Sequence, residues 1–479
     1  MSGRFDSVPG SVQIGTMKFH SIGALALLSG ILAPAPSLAQ EAEESGRYDL
    51  ALAAGYKALM LCGAIGNSGS DGLRRSAQSV NQYELQGIYP ALDGIIRDLP
   101  HQLMTGSDGL LDRVTVDWAP DMPPRVAVFS SSGGCTVLPI GATVPAGDVE
   151  MTRSQRHPPA HAEVGPDAPH NRSDFTATAQ LALGENYGEG TRGTGALIMQ
   201  SGRILGEAYV PGFDGDLPQR TWSVAKSIAA TLIGAAVYRG EMDVLAPAAI
   251  EAWSAEGDPR RAITVDNLLR MASGRYSDTP GNRTDPIYWG GATVDERAAT
   301  WPLLHPPGSV FRYANNDTLM AVEAIAPTFA AHPPAELFGR LGMRNTVAET
   351  DWQGNYILSS QVWSTTRDLA RLGQLYLQNG VWNGTRVLPE DWASYVAAPA
   401  GPQPENYPFG YGAGFWLLNK SEGVPMDTFA AMGNRGQYIV IVPSRDVVIV
   451  RRGEDPAGSR FDIAAFTRDV LERLPKDAD

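Results

Sequence analysis

The sequence is poor in lysine. Of its 479 residues only five are lysines, and the formal net charge is −14. Nucleic-acid binding depends on clustered Lys and Arg side chains that displace counterions, so the charge argues against a nucleic-acid partner. The lysines are Lys18, Lys57, Lys226, Lys420 and Lys476. Because they are so few, a lysine beside an apolar helix needs a specific explanation.

Cysteine is scarcer still, with only Cys62 and Cys135. An even count in an exported protein permits one disulfide, and we carry Cys62 and Cys135 forward as a disulfide candidate. The alternative is two buried free thiols that act as small apolar side chains. Neither interpretation makes either cysteine catalytic.

Long apolar runs are missing beyond the first 40 residues, so we expect no stable membrane span. The N-terminal segment from Met17 reads MKFHSIGALALLSGILAPAPSLAQ. It has a basic start, an apolar stretch and a small-x-small site at Ser37-Leu38-Ala39, which predicts a signal peptide over residues 1–39 and export to the periplasm or the medium. Met17 is a better initiator than Met1. A short membrane anchor is the alternative, but the apolar stretch is too short to span.

Two regions precede the part of the sequence that is easiest to interpret. Residues 40–150 are predicted as an N-terminal extension with one helix and at least one strand, and residues 151–189 as a linker and lead-in. The linker holds His157, His161 and His170. Its proline-broken backbone offers them no fixed geometry, so we predict no metal site, and no organic cofactor is expected either.

Residues 190–475 form the predicted main domain. TGALIMQ and RILGEAYV read as a tight hairpin, and YIVIV and VVIVR as a second hairpin whose strands are covered on both faces. Between them, helices are predicted over 223–240, 264–274 and 364–380, each with a capping residue and a glycine stop. We therefore predict an α/β (α+β) fold with an antiparallel sheet flanked by helices and an inserted, mostly helical subdomain.

The stretch TWSVAKSIAATL places Ser223 at a predicted helix start and Lys226 one turn later on the same face. Apolar neighbours would desolvate the Lys226 ammonium and lower its pKa, which would make it a base for the Ser223 hydroxyl. The alternative is that Ser223 caps the helix and Lys226 extends to solvent. Ser-x-x-Lys by itself does not decide between these interpretations.

Two later stretches offer the other groups that a serine nucleophile needs, namely a proton donor and an oxyanion hole. FRYANND places Tyr313 and Asn315 on a turn before a helix, where a phenol and an amide can face the same side, although Asn315 would also serve as a helix cap. AMGNRGQYIVIVP places Gly433 and Asn434 before a buried strand, where the Asn434 N–H can pair with the Ser223 N–H as an oxyanion hole. The alternative there is a bulge glycine.

Together these motifs resemble the serine β-lactamase and penicillin-recognising superfamily, in particular its class C-like branch with esterases and 6-aminohexanoate-dimer hydrolases. The resemblance extends over about 190–475 and includes SVAKS, PPGSVFRYANND and GNRGQYIVIVPSRDVVIVR. It implies that Ser223 is the acylated nucleophile, Lys226 its proton acceptor and Tyr313 the general acid and base. It also implies that Asn315 orients the substrate or the lysine, and that a small ester or amide is hydrolysed through an acyl-enzyme without a cofactor.

One departure from the family pattern bears on the substrate. Where relatives have Lys-Thr-Gly or His-Thr-Gly, this sequence has Ala431-Met432-Gly433, so the cation that grips a β-lactam carboxylate is missing unless Arg435 replaces it. An esterase or amidase is therefore favoured. The residues proposed to line an acyl pocket, each of which would also fit core or rim packing, are Tyr276, Tyr288, Trp289, Tyr411 and Trp416.

Three alternatives stay open at this stage. A Ser-His-Asp hydrolase is disfavoured because the sequence has no Gly-x-Ser-x-Gly elbow and its last histidine is His332. A β-lactamase or D-amino-acid-specific peptidase of the same fold is the nearest rival. A non-catalytic binding member of the fold, with residues 40–150 as its contact surface, is the third.

Overall fold

A computed structural model of the chain describes residues 38–69, 74–107, 109–143, 173–277 and 284–475. The predicted signal peptide falls almost wholly outside the described residues, and so do His157, His161 and His170. Within the described ranges, no group of three or more His, Cys, Asp or Glu side chains could hold a metal ion.

The helices of the described residues are distributed along the whole chain. They are α1 (Leu38–Gly66), α2 (Ala77–Gln82), α3 (Pro90–Asp93), α4 (Ser173–Leu181), α5 (Val224–Tyr238), α6 (Val265–Leu269), α7 (Asp285–Tyr288), α8 (Val294–Arg297), α9 (Asn315–Glu323), α10 (Pro334–Arg340), α11 (Thr366–Leu377), α12 (Trp392–Ala397) and α13 (Ile463–Arg473). Single 3₁₀ turns cover Glu251–Trp253, Pro259–Ala262, Ala326–Ala330 and Pro443–Arg445.

The strands form four antiparallel sheets. A four-stranded sheet in the order β1-β2-β3-β4 contains β1 (His101–Thr105), β2 (Leu111–Val116), β3 (Arg125–Ser130) and β4 (Gly134–Val137). A three-stranded sheet in the order β7-β9-β8 contains β7 (Gln219–Arg220), β8 (Val347–Ala348) and β9 (Val362–Ser364). A two-stranded ribbon contains β10 (Val381–Trp382) and β11 (Thr385–Arg386).

The largest sheet has seven strands in the order β12-β13-β14-β15-β16-β5-β6. Its members are β5 (Gly193–Gln200), β6 (Arg203–Tyr209), β12 (Gly410–Tyr411), β13 (Trp416–Leu417), β14 (Phe429–Gly433), β15 (Gln437–Val442) and β16 (Val447–Gly453). Its faces are covered by different helices, with α5 and α11 on one side and α4 and α13 on the other. The predicted fold class, an antiparallel sheet flanked by helices, is confirmed.

Side-chain alternation explains why the central strands are apolar at nearly every position. In β15, Ile439 and Ile441 belong to the core on the α5 side, whereas Val440 and Val442 belong to the core on the α13 side. Successive strand residues point to opposite faces, so a strand covered on both faces has few positions for polar side chains. The first predicted hairpin closes through Ser201 and Gly202, both with positive φ, as a two-residue turn requires.

The predicted helix boundaries hold for α5 and α11. Gly240 follows α5 with φ +77°, and the Glu241 N–H reaches back to the Ala236 carbonyl at 2.9 Å, the pattern of a glycine-stopped helix. At the start of α11 the Thr365 hydroxyl accepts from the Asp368 N–H at 3.0 Å.

The predicted end of the helix over 264–274 is wrong. The helix begins as expected, with a capping box between Thr264 and Asn267, but α6 ends at Leu269, and Met271 has φ +57°. Gly274 does not stop the helix. It lies against the backbone of His305, where a Cβ would be 2.1 Å from the carbonyl oxygen, so a side chain has no room there.

We expected that no segment after the predicted signal peptide would be apolar and long enough to span a membrane. Helix α1 shows that this expectation is wrong. Gly46–Gly66 is long and apolar enough to cross a membrane, but 89% of its most apolar window is buried inside the protein. Residues 46–479 form one compact unit. Helix α1 is therefore a core helix of this unit, joined to β4 by a disulfide between Cys62 and Cys135.

Replacing both cysteines with alanine is expected to lower the free energy of unfolding by about 4 kcal/mol, because the bond joins residues 73 positions apart and restricts the unfolded chain. Urea denaturation of Cys62→Ala/Cys135→Ala and of the wild type gives the difference. Equal denaturation midpoints for the two proteins would contradict this expectation.

Candidate active site

Ser223 lies at the junction between β7 and α5. It occupies the N-cap position of α5 with φ −67°, but its side chain makes no capping hydrogen bond, so the alternative that Ser223 merely caps the helix does not describe this structure. The preceding residue, Trp222, has φ +51°, a strained value for a bulky side chain. The Arg220 guanidinium lies 3.7 Å from the centre of the Trp222 ring and stabilises this conformation.

Lys226 lies one turn further along α5 and is 1% exposed. Its Nζ is 2.9 Å from Ser223 Oγ and 3.0 Å from the Ser359 carbonyl oxygen, and it also donates to Asn315 Oδ1. Two of these partners are carbonyl oxygens that only accept hydrogen bonds. They take two amine N–H groups, so the lone pair of a neutral amine faces the Ser223 hydroxyl.

The charge state of Lys226 follows from its surroundings. Burial lowers its pKa from 10.5 to about 7, because a low-dielectric interior disfavours the ammonium. A substantial fraction of the molecules therefore carries a neutral amine at neutral pH. A hydroxyl bonded to a desolvated amine is the arrangement that activates a serine as a nucleophile.

Tyr313 and Asn315 lie on either side of the N-cap residue of α9 and approach Ser223 and Lys226. Ala314 is the N-cap residue of α9, and Asn315 is its first helical residue, so the Asn315 amide does not cap the helix but contacts Lys226. The Tyr313 phenol lies near enough to the Ser223 hydroxyl for Ser223 to affect the Tyr313 pKa, and Lys226 Nζ is 5.0 Å from the centre of the Tyr313 ring. Burial raises the pKa of Tyr313, so its phenol is protonated at neutral pH.

Gly433 brings the end of β14 against Ser223. A Cβ at this position would lie 2.5 Å from the Thr221 carbonyl oxygen and 3.1 Å from Ser223 N. Only glycine permits this approach of strand to helix. Asn434 is exposed and is the next residue along from the contact between Gly433 and Ser223 N.

Two of the predicted pocket aromatics lie beside Tyr313. The Tyr411 and Trp416 rings are centred 5.9 Å and 5.3 Å from the Tyr313 ring, and 4.9 Å from each other. Tyr411 lies on β12 and Trp416 on the neighbouring β13. Tyr313 and Trp416 are partly exposed and form one wall of the site, and the buried Tyr411 ring packs behind them.

Tyr288 and Trp289 lie behind the site. Both side chains are buried, and the Tyr288 hydroxyl is 2.9 Å from Ser359 Oγ. The Trp289 ring packs against Tyr56 and Tyr89 of the N-terminal region, at centroid distances of 5.9 Å and 4.9 Å. They support the site from within instead of lining a substrate pocket.

The remaining predicted pocket residues have other partners. Tyr276 packs against Trp301, and the Arg312 guanidinium lies 5.6 Å from the Tyr276 ring centre. The Arg435 guanidinium pairs with the buried Glu454 carboxylate at 2.5 Å. Arg435 is therefore engaged inside the protein.

Sequence patterns did not reveal the roles of Ser359 and Arg220. Ser359 contacts Lys226 through its backbone carbonyl, a group that every residue has, so no side-chain pattern marks it. Arg220 contacts Ser360 and Trp222, and only the former lies far away in the sequence. Both contacts depend on the pairing of β7 with β9, which brings these segments together.

Comparison with known proteins decides the family. The beta-lactamase family model matches residues 179–469. The chain belongs to the beta-lactamase family. Members of this family are serine hydrolases.

The chain is also similar to individual known proteins. The chain is 26% identical over 341 residues to 6-aminohexanoate-dimer hydrolase of Paenarthrobacter ureafaciens, covering 63% of this chain and 81% of that one. A solved structure named "Putative 6-aminohexanoate-dimer hydrolase from Bacillus anthracis" is 22% identical, with a TM-score of 0.51 over 59% of this chain and 81% of the other. D-alanine carboxypeptidase AmpC from Burkholderia cenocepacia is 16% identical, with a TM-score of 0.46 over 63% and 99% of the two chains. The fold is that of the β-lactamases and transpeptidases.

Proposed function

We propose that this beta-lactamase family protein hydrolyses an ester or amide bond of a small acyl substrate through an acyl-enzyme on Ser223. The observation that carries the proposal is the hydrogen bond between Ser223 Oγ and the buried Lys226 amine, whose other two partners are carbonyl oxygens. Such a site has a nucleophile, a base with a pKa near neutrality and a fixed orientation of that base.

In the acylation step, Ser223 Oγ attacks the substrate carbonyl carbon while its proton passes to Lys226 Nζ. Asn315 and the Ser359 carbonyl hold the amine in place and accept hydrogen bonds from the ammonium that forms. The negative charge develops on the substrate oxygen, where the N–H groups of Ser223 and Asn434 would stabilise it. The close approach of Gly433 to Ser223 N supports this assignment.

The leaving group needs a proton, and Tyr313 is suited to supply it. Its phenol is protonated at neutral pH and lies beside Ser223, where the leaving group would depart. Tyr313 gives its proton to the departing oxygen or nitrogen and recovers one from the Lys226 ammonium. Water then attacks the acyl-enzyme by the reverse proton path, which releases the acid and regenerates Ser223.

The surroundings of the site favour a substrate without an anion beside the scissile bond. Ala431 stands where a cation would grip a carboxylate, and the Arg435 guanidinium is engaged with Glu454. The aromatic rings of Tyr313 and Trp416, backed by the buried Tyr411, favour an apolar acyl or leaving group. One relative is named as a hydrolase of 6-aminohexanoate dimer, which supports a linear amide as one substrate class.

The nearest alternative is a β-lactamase or a D-amino-acid-specific peptidase with the same catalytic groups. The alanine at position 431 weighs against it, since such substrates carry a carboxylate next to the scissile amide. A non-catalytic binding protein is disfavoured because Ser223, Lys226, Tyr313 and Asn315 are all present and in contact.

We also propose that the protein is exported. The predicted signal peptide precedes a chain whose two cysteines are bonded to each other, and disulfides persist in oxidising compartments.

A substrate panel tests the proposal. Wild-type protein is expected to hydrolyse short-chain p-nitrophenyl esters or linear amides faster than nitrocefin, and to form a covalent adduct with a fluorophosphonate probe. Ser223→Ala is expected to lose the adduct and at least about 10⁴-fold in kcat. Ser227→Ala is the matched control, because Ser227 is a buried serine of the same helix whose hydroxyl bonds to the Gly414 carbonyl at 2.6 Å.

The control variant should keep the adduct. An adduct on Ser223→Ala, or none on the wild type, would show that the proposed nucleophile is wrong. Faster turnover of nitrocefin than of every ester and amide would favour the β-lactamase alternative.

The rate should depend on pH through Lys226. Only the neutral amine accepts the Ser223 proton, and burial lowers the pKa of Lys226 to about 7. Because the amine is charged below that pKa, kcat/KM for a neutral ester is expected to fall as the pH drops below about 7 and to level off above it. Initial rates between pH 5 and pH 9 give this profile, and a flat profile would rule out Lys226 as the base.

A further inference from the structure

The N-terminal region lies outside the range that matches the family and packs behind the catalytic groups. The described residues 46–69, 74–107 and 109–143 precede the matched range of 179–469 and belong to the same compact unit. Arg125 on β3 donates to the Ala51 carbonyl at 2.6 Å, and to the Trp289 and Gly290 carbonyls at 2.9 Å each. One buried side chain thus joins α1 to the residues that follow α7.

Tyr288, the last residue of α7, connects this junction to Lys226. Its hydroxyl is 2.9 Å from Ser359 Oγ, and the carbonyl of the same Ser359 accepts from Lys226 Nζ at 3.0 Å. The Tyr288 side chain is 3% exposed. Two hydrogen bonds therefore separate the Tyr288 ring from the Lys226 amine.

Arg220 makes a second connection from the same region. Its guanidinium donates to Ser360 Oγ at 3.2 Å, lies 3.5 Å from the Tyr56 hydroxyl on α1, and covers the Trp222 ring. Trp222, with φ +51°, directly precedes Ser223. Helix α1 is thus in contact with a side chain that holds both the Ser360 segment and the residue before the nucleophile.

The N-terminal region also reaches the other side of the site. Arg435, which follows Asn434, donates to the Tyr83 carbonyl at 2.8 Å. Glu84 is next in sequence and forms a buried pair with Arg75 at 2.7 Å. The strand end that would supply the oxyanion N–H therefore rests on residues of the N-terminal region.

We propose that the N-terminal region is part of the catalytic apparatus, and that Tyr288 is a positioning residue for Lys226. Helix α1 and β3 fix residues 288–290, and Tyr288 then fixes the Ser359 carbonyl that orients the amine. The disulfide between Cys62 and Cys135 closes this framework covalently. This inference rests on the proposed function, because it assigns Tyr288 to the lysine that serves as base.

Tyr288→Phe tests the inference, because it removes the hydroxyl and keeps the ring. We expect kcat to fall about tenfold with KM within about twofold of the wild-type value, since one hydrogen bond that holds the base is lost. Loosening of Ser359 admits water to the amine, so the acid limb of the kcat/KM profile is expected to move about one pH unit upward.

Tyr376→Phe is the matched control. The Tyr376 hydroxyl is also buried and bonds to Thr231 on α5 at 2.8 Å, so the variant loses a similar hydrogen bond to the same helix away from the lysine. It should lower stability without moving the pH profile. A Tyr288→Phe profile and kcat equal to those of Tyr376→Phe would overturn the inference.

Ser359→Ala provides a second variant if Tyr288→Phe does not fold. It keeps the backbone carbonyl and removes the hydroxyl that bonds to Tyr288, so the same shift of the acid limb is expected. An unchanged profile in Ser359→Ala would likewise overturn the inference. Labelling of the wild type by the fluorophosphonate probe separates the two proposals. If the wild type is not labelled, the proposed function fails. If it is labelled, the pH profiles of the variants test only the role of Tyr288.

Discussion

Burial of the Lys226 amine is the constraint on which the rest of the site depends. An ammonium ion moved into a protein interior loses several kcal/mol of solvation, and a neutral amine avoids most of that loss. The interior around Lys226 therefore lowers its pKa, while two carbonyl oxygens keep its N–H groups paired. A base poised near neutrality follows from these two conditions together.

The fold satisfies these conditions by bringing distant segments to one point. Lys226 has three polar neighbours, and they come from three parts of the sequence. Ser223 lies at the start of α5, Asn315 begins α9, and Ser359 lies before β9. The glycine at position 433 lets β14 close the site from a fourth direction. The N-terminal region contacts Arg220, Trp289 and Arg435, and these contacts are the basis of the proposal that it supports the site.

Local patterns predicted a large part of this arrangement. The glycine stops of α5 and α11, the Thr365 cap of α11, the turn at Ser201 and Gly202, and the doubly covered strand β15 all depend on neighbouring residues, and the structure has them as expected. Ser223, Lys226, Tyr313 and Asn315 also meet at one point. Their spacing on the helix and turn, together with the family resemblance, was enough to bring them into one hypothesis.

Contacts between distant residues could not be predicted in this way. The chain at Gly274 meets the backbone of His305, and Arg435 is held by a carbonyl 352 positions earlier in the sequence. Lys226 contacts Ser359 through the backbone carbonyl, and since every residue has this group, the residue type at position 359 does not predict the contact. The burial of α1 depends on partners that only the folded chain supplies.

The pKa of Lys226 is the quantity that tests this account most directly. The sequence has only five lysines, so NMR of protein labelled on the lysine side chains gives a spectrum that Lys226→Arg and Lys57→Arg can assign. The account predicts that the Lys226 signal titrates near pH 7, below that of Lys57, for which burial lowers the pKa to about 8. A Lys226 signal that stays in its charged form through pH 9 would contradict the account.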